Sequence, residues 1–266
     1  MDAFGDRMKV YEQVEAGRKL IPLLPVMARI DGKCFSNFTR GLNRPYDINL
    51  SKLMIDTTKW LVEETNACMG YTQSDEISLT WYADKFESQI FFDGKIQKIV
   101  SVIASMTTAK FNQLLPNYLS QVYANKLATF DARVWNVPNI VEGSNVFLWR
   151  ELDATKNSIS MAARAYFSHN ALMDKNGSEM QEMLFQKGIN WNDYPNFFKR
   201  GTFIQRKLVS KPFSQEEIDQ LPEKHNARKN PDLVIERHQI KVLDMPPFSQ
   251  VKNRPEVIYY GTDYEQ

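Results

Sequence analysis

The order of apolar segments in the first half of the chain restricts the fold more than any other feature. Some segments alternate apolar with polar residues or are bounded by turn residues, which is typical of strands. Between them lie segments whose apolar residues recur at helical spacing. The order is strand, helix, hairpin, helix, strand, at 26–30, 50–64, 67–82, 95–115 and 128–137. A split βαβ unit has this order and packs its helices on one side of an antiparallel sheet. The sequence therefore predicts an α+β, ferredoxin-like sheet, a plan that polymerase palm domains share.

Further segments extend this predicted core at both ends. The segment 5–20 has helical spacing, with Val10, Val14 and Leu20 on its apolar side. Later predicted elements are helices at 141–167 and 178–187 and strands at 202–209, 233–242 and 257–260. On the helix at 141–167, Phe147, Leu148, Trp149 and Leu152 are the apolar positions and Arg150, Asp153, Asn157 and Arg164 the polar ones. We expect residues 1–140 to form a palm-like catalytic core, with 141–266 a helical and mixed extension packed on it in one compact unit.

Composition excludes several classes of protein. The chain is 43% hydrophobic and 24% charged, unlike a disordered chain, and its net charge of +1 means that any RNA contact must use local basic patches. The two cysteines, Cys34 and Cys68, are too few for a disulfide framework or a zinc cage. No apolar run approaches the roughly 20 residues that a membrane span requires. We therefore expect a cytoplasmic protein that does not contact a membrane.

Three acidic residues stand where the predicted strands end. Asp31 closes the first strand, and Asp75 and Glu76 lie at the tip of the predicted hairpin. A central sheet would bring them to one edge, where carboxylates suit Mg²⁺, which prefers oxygen ligands, and a pair of ions would sit roughly 4 Å apart. Both strings are short, so an ordinary turn and an ordinary solvated hairpin remain an equal alternative on spacing alone.

Gly32 follows the first acid and adds a backbone carbonyl. It also permits close approach of phosphates, and the amides of the next four residues are candidates to hold a triphosphate. These four residues are Lys33, Cys34, Phe35 and Ser36.

Two strings resemble the signature motifs of the tRNA-His guanylyltransferase family. They are ARIDGKCFSNFT at 28–39 and GYTQSDEISL at 70–79, and further similarity occurs at FDAR (130–133), FLWRELD (147–153) and FKRGT (198–202). The resemblance implies a polymerase-like palm with two Mg²⁺ ions per active site and with ATP and GTP or another NTP as substrates. It makes Asp31 and Asp75 the metal carboxylates, the Gly32 carbonyl a further ligand and Glu76 a supporting catalytic residue.

The same resemblance assigns further residues to ligands. In RPYD at 44–47, Arg44 and Asp47 fall where the family holds the activating nucleotide, as does Ser74, and Lys95 is expected at a nucleotide triphosphate. The residues expected to face RNA or triphosphate are Arg133, Arg150, Asn157, Lys187, Lys199 and Arg200. The implied partners are the 5′ end and acceptor stem of a tRNA and, by analogy, three further copies of the chain in a homotetramer.

One segment departs from the family pattern. The chain reads DATKNSIS at 153–160, where tRNA-His guanylyltransferases carry a His-Ile-Asn-Asn-Leu-Tyr-Asn type of segment. This variant, and the run from PEKHNAR (222–228) to DMPPF (244–248), are similar to a guanylyltransferase-like branch that repairs 5′-truncated tRNAs. We therefore expect template-dependent 3′-to-5′ nucleotide addition after 5′ activation by ATP or GTP, with addition of a single 5′ G to tRNA-His as the alternative.

Two more distant functions are weighed against this one. A nucleotide cyclase-like palm uses similar paired acids, but its signatures are missing here. A non-catalytic RNA-binding protein would keep the carboxylates merely as turn residues. The three histidines show no triad or zinc spacing, and phosphoryl transfer by positioning and charge neutralisation requires no nucleophilic side chain.

Overall fold

The fold is organised around one antiparallel sheet. A computed structural model describes residues 3–88, 90–230 and 232–266. The strands are β1 (Val26–Gly32), β2 (Met69–Gln73), β3 (Glu76–Trp81), β4 (Phe130–Asn136), β5 (Thr202–Pro212) and β6 (Val234–Leu243). They lie in the order β4-β1-β3-β2-β5-β6, and every neighbouring pair is antiparallel. The first four strands have the ferredoxin-like order, so the predicted fold class is confirmed.

Helices surround the sheet. The α-helices are α1 (Ala3–Ala16), α2 (Phe35–Phe38), α3 (Ile48–Thr65), α4 (Ile96–Leu114), α5 (Gln121–Ala124), α6 (Ile140–Tyr166), α7 (His169–Leu172), α8 (Gly177–Gln186), α9 (Asn196–Arg200), α10 (Gln215–Gln220), α11 (Asn226–Lys229) and α12 (Arg254–Tyr259). Short 3-10 turns lie at 91–94, 115–117, 191–193 and 248–250. No helix in the described part of the chain is long and apolar enough to cross a membrane.

Helices α3 and α4 cover one face of the sheet, as the sequence predicts. Alternate residues of the central strands, such as Ile30 and Leu79, are fully buried and pack against Leu53, Leu61 and Ile103 from the two helices. Strand residues two positions apart point to the same face, so every second residue of these strands contributes to the apolar layer. This layer contains much of the hydrophobic core.

The predicted C-terminal helices and strands cover the opposite face and widen the sheet. Phe147 of α6 and Ile258 of α12 pack with Met27, Tyr71 and Phe203 on this side. Because β5 pairs with β2, the sheet is continuous across the expected boundary between 140 and 141.

One predicted strand is wrong. The segment expected to be a strand at 257–260 lies in α12, whose first turn contains Pro255. Val257, Ile258 and Tyr259 are three consecutive buried side chains. A short apolar run of this kind cannot distinguish a buried strand from a buried helical turn, and proline fits the first turn of a helix.

Two helices present different faces from those predicted. Helix α1 ends at Ala16, Val10 and Val14 are exposed, and Leu20 is buried beyond the helix end. On α6, Trp149 is half exposed whereas Arg150 is buried. Residue type alone does not determine which side of a helix meets the sheet, because an ion pair can replace apolar contact.

Candidate active site

The register of the sheet brings the three predicted acids to one edge. Asp31 lies opposite Glu76 on β3 and opposite Asp131 on β4. Asp75 lies in the two-residue connection between β2 and β3, and its carbonyl accepts the N–H of Gly32 at 3.2 Å. Asp31 and Asp75 lie 44 positions apart in the sequence, and their place at the ends of adjacent strands brings them together.

The connection between β2 and β3 is shaped by Ser74. Ser74 adopts a left-handed backbone conformation with φ of 54°, and its hydroxyl donates to Asp75 Oδ1 at 3.0 Å. A positive φ is uncommon for residues other than glycine, and tight hairpins use it to reverse the chain. The turn therefore fixes the Asp75 carboxylate beside the end of β1.

The electrostatics of this edge favour a bound cation. Burial raises the pKa of Asp75, and the negative charge of Asp31 raises it further, against the lowering effect of the Ser74 hydroxyl. A divalent cation would relieve the repulsion between the two carboxylates.

The donor set suits magnesium. No group of three or more His, Cys, Asp and Glu side chains gathers as a metal site among the described residues. Asp31, Asp75 and the Gly32 carbonyl thus offer fewer oxygens than octahedral Mg²⁺ requires. Magnesium is usually held by one or two carboxylates while water and substrate phosphates complete its shell, so these residues fit the ion.

Glu76 is bound by the protein itself. Its carboxylate accepts two hydrogen bonds from the Arg150 guanidinium, from Nε at 2.6 Å and from Nη2 at 2.7 Å. Burial raises the pKa of Glu76, and Arg150 opposes that effect. Arg29 Nε lies 3.9 Å from Glu76 and 3.6 Å from Asp31, on the same face of β1 as Asp31. Glu76 therefore anchors two arginines beside the predicted metal carboxylates.

The expected contact of Arg150 with RNA is corrected by this arrangement. Its side chain is 10% exposed and pairs with Asp153 at 3.0 Å as well as with Glu76. The hydrogen bonds to Glu76, at the start of β3, hold the Arg150 side chain toward the sheet rather than toward solvent.

Contacts within the protein occupy part of the loop that follows β1. A Cβ on Gly32 would lie 2.3 Å from the Phe35 ring, so this ring leaves room only for glycine at position 32. The Lys33 amide donates to the Thr129 carbonyl at 2.8 Å, and the Phe35 ring is buried. The Lys33 amide is therefore not free to hold phosphate, which corrects the expectation for it. The side chains of Lys33, Cys34 and Ser36 are exposed at the loop surface.

A cavity of about 400 Å³ opens next to the hairpin tip. Arg44, Asp47, Ser74 and Ser36, all assigned to nucleotide from the sequence, line it. Tyr46, Phe197 and Phe198 supply an aromatic wall, in which Tyr46 lies 5.3 Å from Phe197 and 4.9 Å from Phe198 between ring centroids. The cavity combines cations, hydroxyls and aromatic rings, the groups that a nucleoside triphosphate requires.

Asp47 lines the cavity but its carboxylate is occupied. Oδ1 accepts the N–H groups of Asn49 and Leu50 at 2.9 and 3.1 Å, which caps the start of α3. Oδ2 accepts the backbone and side-chain N–H groups of Asn43 at 3.3 and 2.9 Å. Asp47 therefore holds the loop that carries Arg44, instead of presenting a free carboxylate to a ligand.

Several cavity residues escaped the sequence analysis. The polar ones are Thr39, Arg40, Asn43, Ser51, Gln73 and Arg164. Arg164 lies on α6, 120 positions after Arg44, and only the packing of α6 beside α9 and the 40–47 loop brings the two to one cavity. The local sequence carries no signal for that proximity.

The structure does not bring Lys95 to the carboxylates within one chain. Lys95 precedes α4, whereas Thr108, near the other end of α4, accepts the N–H of Phe130 next to Gly32. Thirteen residues of helix separate Lys95 from Thr108, a rise of about 20 Å. The nucleotide role expected for Lys95 is therefore not supported by the position of this residue.

The remaining residues that were expected to face RNA or triphosphate differ in their contacts. Arg133 is half exposed and its Nη2 lies 3.6 Å from Asp31. Asn157 is exposed and donates to Asp153 at 3.1 Å, and Arg200 lies 3.7 Å from the buried Glu151. Lys187 lies over the Phe167 ring, and Lys199 over the Trp191 ring. Of these, Arg133 is the cation next to Asp31, a predicted metal carboxylate, and Arg200 is in part a structural residue.

Comparison with known proteins identifies relatives over most of the chain. The model of the family described as tRNAHis guanylyltransferase (Thg1) matches residues 5–138. The tRNA(His) guanylyltransferase of Debaryomyces hansenii is 29% identical over 76% of this chain and 80% of its own length.

Two solved structures share the fold. A bacterial tRNA(His) guanylyltransferase (Thg1)-like protein in complex with ATP is 43% identical, with a TM-score of 0.72, over 76% of this chain and 88% of its own. A bacterial Thg1-like protein in complex with GTP is 35% identical, also with a TM-score of 0.72, over 94% and 95% of the two chains.

Proposed function

The chain belongs to the tRNA(His) guanylyltransferase family and is a nucleotidyltransferase, and we propose that it adds nucleotides to the 5′ end of a tRNA at the edge formed by Asp31 and Asp75. The observation that carries this proposal is that Asp75 directly follows Ser74, which lines the cavity, while Asp31 lies next to the end of β1, the strand beside β3. The carboxylates and the cavity meet at the β2–β3 connection, since Ser74 lines the cavity and Asp75 follows it.

Two Mg²⁺ ions would be held by Asp31, Asp75 and the Gly32 carbonyl. When bound, they would neutralise charge on the attacking and leaving oxygens of an in-line displacement. The resemblance of the two motifs to those of the family supports this assignment, as does the charge repulsion between Asp75 and Asp31.

The side chains of the protein position the reactants. Arg44 and Arg164 would pair with phosphates of the activating nucleotide, and Tyr46 and Phe198 would stack on its base. The two bacterial relatives, solved in complex with ATP and with GTP, support nucleotide substrates. Arg133, beside Asp31, would meet the phosphates of the RNA end.

The proposed reaction has two steps. An oxygen of the 5′-monophosphate of the RNA attacks the α-phosphate of ATP or GTP, so that pyrophosphate leaves and a 5′-activated end forms. The 3′-hydroxyl of the incoming NTP then attacks the 5′ phosphate of the RNA, loses its proton, and displaces the mononucleotide. An RNA that carries a 5′-triphosphate needs only the second step, with pyrophosphate as the leaving group.

Two activities fit this chemistry, and the relatives favour one of them. The named relatives are tRNA(His) guanylyltransferases, so addition of G to tRNA(His) has the stronger support. Templated repair of truncated tRNAs is the second candidate. It is favoured by the departure of 153–160 from the guanylyltransferase pattern, and by identities of 43% and 35% to bacterial Thg1-like proteins against 29% to the Debaryomyces enzyme.

Single-turnover extension of defined tRNAs separates these activities. The substrates are tRNA(His) without its extra 5′ nucleotide and a second tRNA that lacks nucleotide 1, each made with all four bases at the opposing 3′ position. Each is incubated with Mg²⁺, ATP and one labelled NTP at a time. Guanylylation predicts G on tRNA(His) whatever base lies opposite, whereas repair predicts the complement of that base on both RNAs.

Other outcomes overturn the proposal. Formation of a cyclic nucleotide would indicate a cyclase, and RNA binding without pyrophosphate release would indicate a non-catalytic binding protein. Extension that survives removal of divalent metal by EDTA would contradict the magnesium assignment.

We also propose that the active form is a homotetramer, as the family resemblance implies. Sedimentation equilibrium should give a mass of about four times the 30.9 kDa of the chain. A monomer that retains full activity would contradict this.

A further inference from the structure

Trp149 has an exposure that the packing of α6 does not explain. The helix buries its neighbours Phe147, Arg150 and Glu151, whereas Trp149 is 50% exposed. Trp149 belongs neither to the hydrophobic clusters on the two faces of the sheet nor to the residues that line the 400 Å³ cavity. A large aromatic side chain left in contact with water next to a reaction centre is a candidate binding surface.

The Trp149 indole is nevertheless held in a defined place. The guanidinium carbon of Arg150 lies 4.5 Å from the ring centroid, and that of Arg29 lies 6.0 Å away. Both arginines are themselves oriented by acids, Arg150 through its two hydrogen bonds to Glu76 and Arg29 through Asp31 and Glu76. The ring is therefore positioned by the groups that surround the metal carboxylates.

The surroundings of Trp149 restrict the occupant. Arg29 and Arg133 are cross-strand partners on β1 and β4, on the face that carries Asp31, and Arg133 is half exposed there. Arg29 Nε is buried without a hydrogen-bond partner among the described residues. An exposed aromatic ring beside exposed positive charge suits the end of a base-paired RNA stem, whereas a mononucleotide needs an enclosing cavity.

We propose that Trp149 is a positioning residue on which the 5′-terminal base of the RNA stacks, so that its 5′ phosphate lies at Asp31 and Asp75. This inference rests on the proposed function and identifies the surface that receives the RNA end. The activating nucleotide has its own aromatic wall at Tyr46 and Phe198, which line the cavity from which Trp149 is absent. Trp149 serves the RNA, and its loss affects RNA binding and not nucleotide binding.

A fluorescent base at the RNA terminus tests the stacking directly. The probe is an acceptor-stem RNA with 2-aminopurine at its 5′ end, whose fluorescence is quenched when the base stacks on an aromatic ring. Wild-type protein should quench it, Trp149→Ala should abolish the quenching, and Trp149→Phe and Trp149→Tyr should retain most of it. Leu152→Ala is the matched control, because Leu152 is 48% exposed on the same helix.

Kinetics supply the second measurement. Trp149→Ala should raise KM for the RNA on the order of tenfold, in line with the contribution of one base–aromatic stack, while KM for ATP or GTP stays unchanged. Equal quenching and equal KM for RNA in wild type and Trp149→Ala would overturn the inference, as would equal loss in Leu152→Ala.

The proposed function is judged by a different result. If wild-type protein extends no RNA, the proposed function fails whatever the quenching shows. If wild-type protein extends RNA and the Trp149 variants match it, only the stacking inference fails. Thermal unfolding of each variant by circular dichroism verifies that a loss of quenching is not a loss of fold.

Discussion

At the end of the central sheet that carries Asp31, the two faces receive opposite kinds of side chain from the same strands. On β1 and β3, Ile30 and Leu79 point to α3 and α4 and are fully buried, whereas Asp31 and Glu76 point to the α6 side. One residue step along a strand therefore separates a core position from a candidate catalytic one. Because alternate residues of a strand point to opposite faces, one strand can supply both core side chains and candidate catalytic side chains.

The polar face tolerates its charges because the fold pairs most of them. Arg150 neutralises Glu76 through two short hydrogen bonds, and Arg29 lies between Glu76 and Asp31. Asp75 is the exception, because burial and the nearby Asp31 raise its pKa. The face toward α3 and α4 is apolar along the central strands, whereas the α6 face, apolar at Met27 and Tyr71, keeps an unbalanced negative edge for a cation where Asp31 and Asp75 lie. Mutations on the two faces should accordingly separate stability from activity.

The largest effect is expected at the polar edge. Asp31→Asn and Asp75→Asn should each reduce nucleotide addition on the order of 10²- to 10³-fold or more, because each removes charge that stabilises the metal-assisted transition state. Single-turnover extension measures the loss, and urea unfolding should show that stability is retained. Asp131→Asn, an exposed acid opposite Asp31 on β4, is the control and should lose far less. Near-normal activity in the first two variants would refute the metal assignment.

The reverse separation is expected on the apolar face. Leu79→Ala should lower the free energy of unfolding by about 2–5 kcal/mol, because it leaves a cavity in a fully buried layer. The activity of the molecules that remain folded should stay near normal. Ser78→Ala, one residue earlier and on the α6 face, loses little volume and should cost much less in urea unfolding. Equal costs at the two positions would show that the faces do not differ in this way.

A smaller effect, on both stability and nucleotide binding, is expected at Asp47, which caps α3 and lines the cavity. Asp47→Ala removes the cap of α3 and should cost about 1–2 kcal/mol of stability. It also frees the 43–45 loop at the cavity, so KM for the activating nucleotide should rise while KM for RNA does not. Asp47→Asn retains acceptor capacity at one oxygen and should rescue part of the stability. A variant with lower stability but unchanged nucleotide KM would restrict Asp47 to helix capping.

The smallest effect concerns pH, at the contact between α6 and the C-terminal segment. Burial raises the pKa of Glu151, and the hydrogen bond from the Phe248 amide and the charge of Arg200 oppose it only in part. The folded state therefore holds this proton more tightly than the unfolded state. The stability contribution is complete at acidic pH and is lost as the pH rises from about 4.3 through the raised pKa.

Glu151→Gln should flatten this dependence, because glutamine keeps an acceptor for the Phe248 amide without the charge. Wild type should lose more stability than Glu151→Gln as the pH rises from about 4.3 toward neutral, as measured by urea unfolding. Glu179 is the control. Its pKa is lowered, first by the Asn176 amide, so its contribution is lost as the pH falls, and Glu179→Gln should alter the acidic side of the curve instead. Parallel curves for wild type and Glu151→Gln would contradict the prediction.

The sequence alone determined the strand and helix order and the ends at which the acids lie. Periods of two and of 3.6 residues are local properties, so β1, α3, the β2–β3 hairpin, α4 and β4 were predictable to within a few residues. The placement of Asp31 and Asp75 at adjacent strand ends follows from that order, because neighbouring antiparallel strands share an edge.

Only the tertiary structure decided what those elements present to one another. It turned Arg150 inward and Trp149 outward, placed Lys95 at the far end of α4, folded 257–260 into a helix, and joined Arg44 to Arg164 across one cavity. Each outcome depends on how a helix is rotated about its axis or on which segment covers which face. Those choices are settled by contacts between residues far apart in the chain, and local sequence patterns carry no information about them.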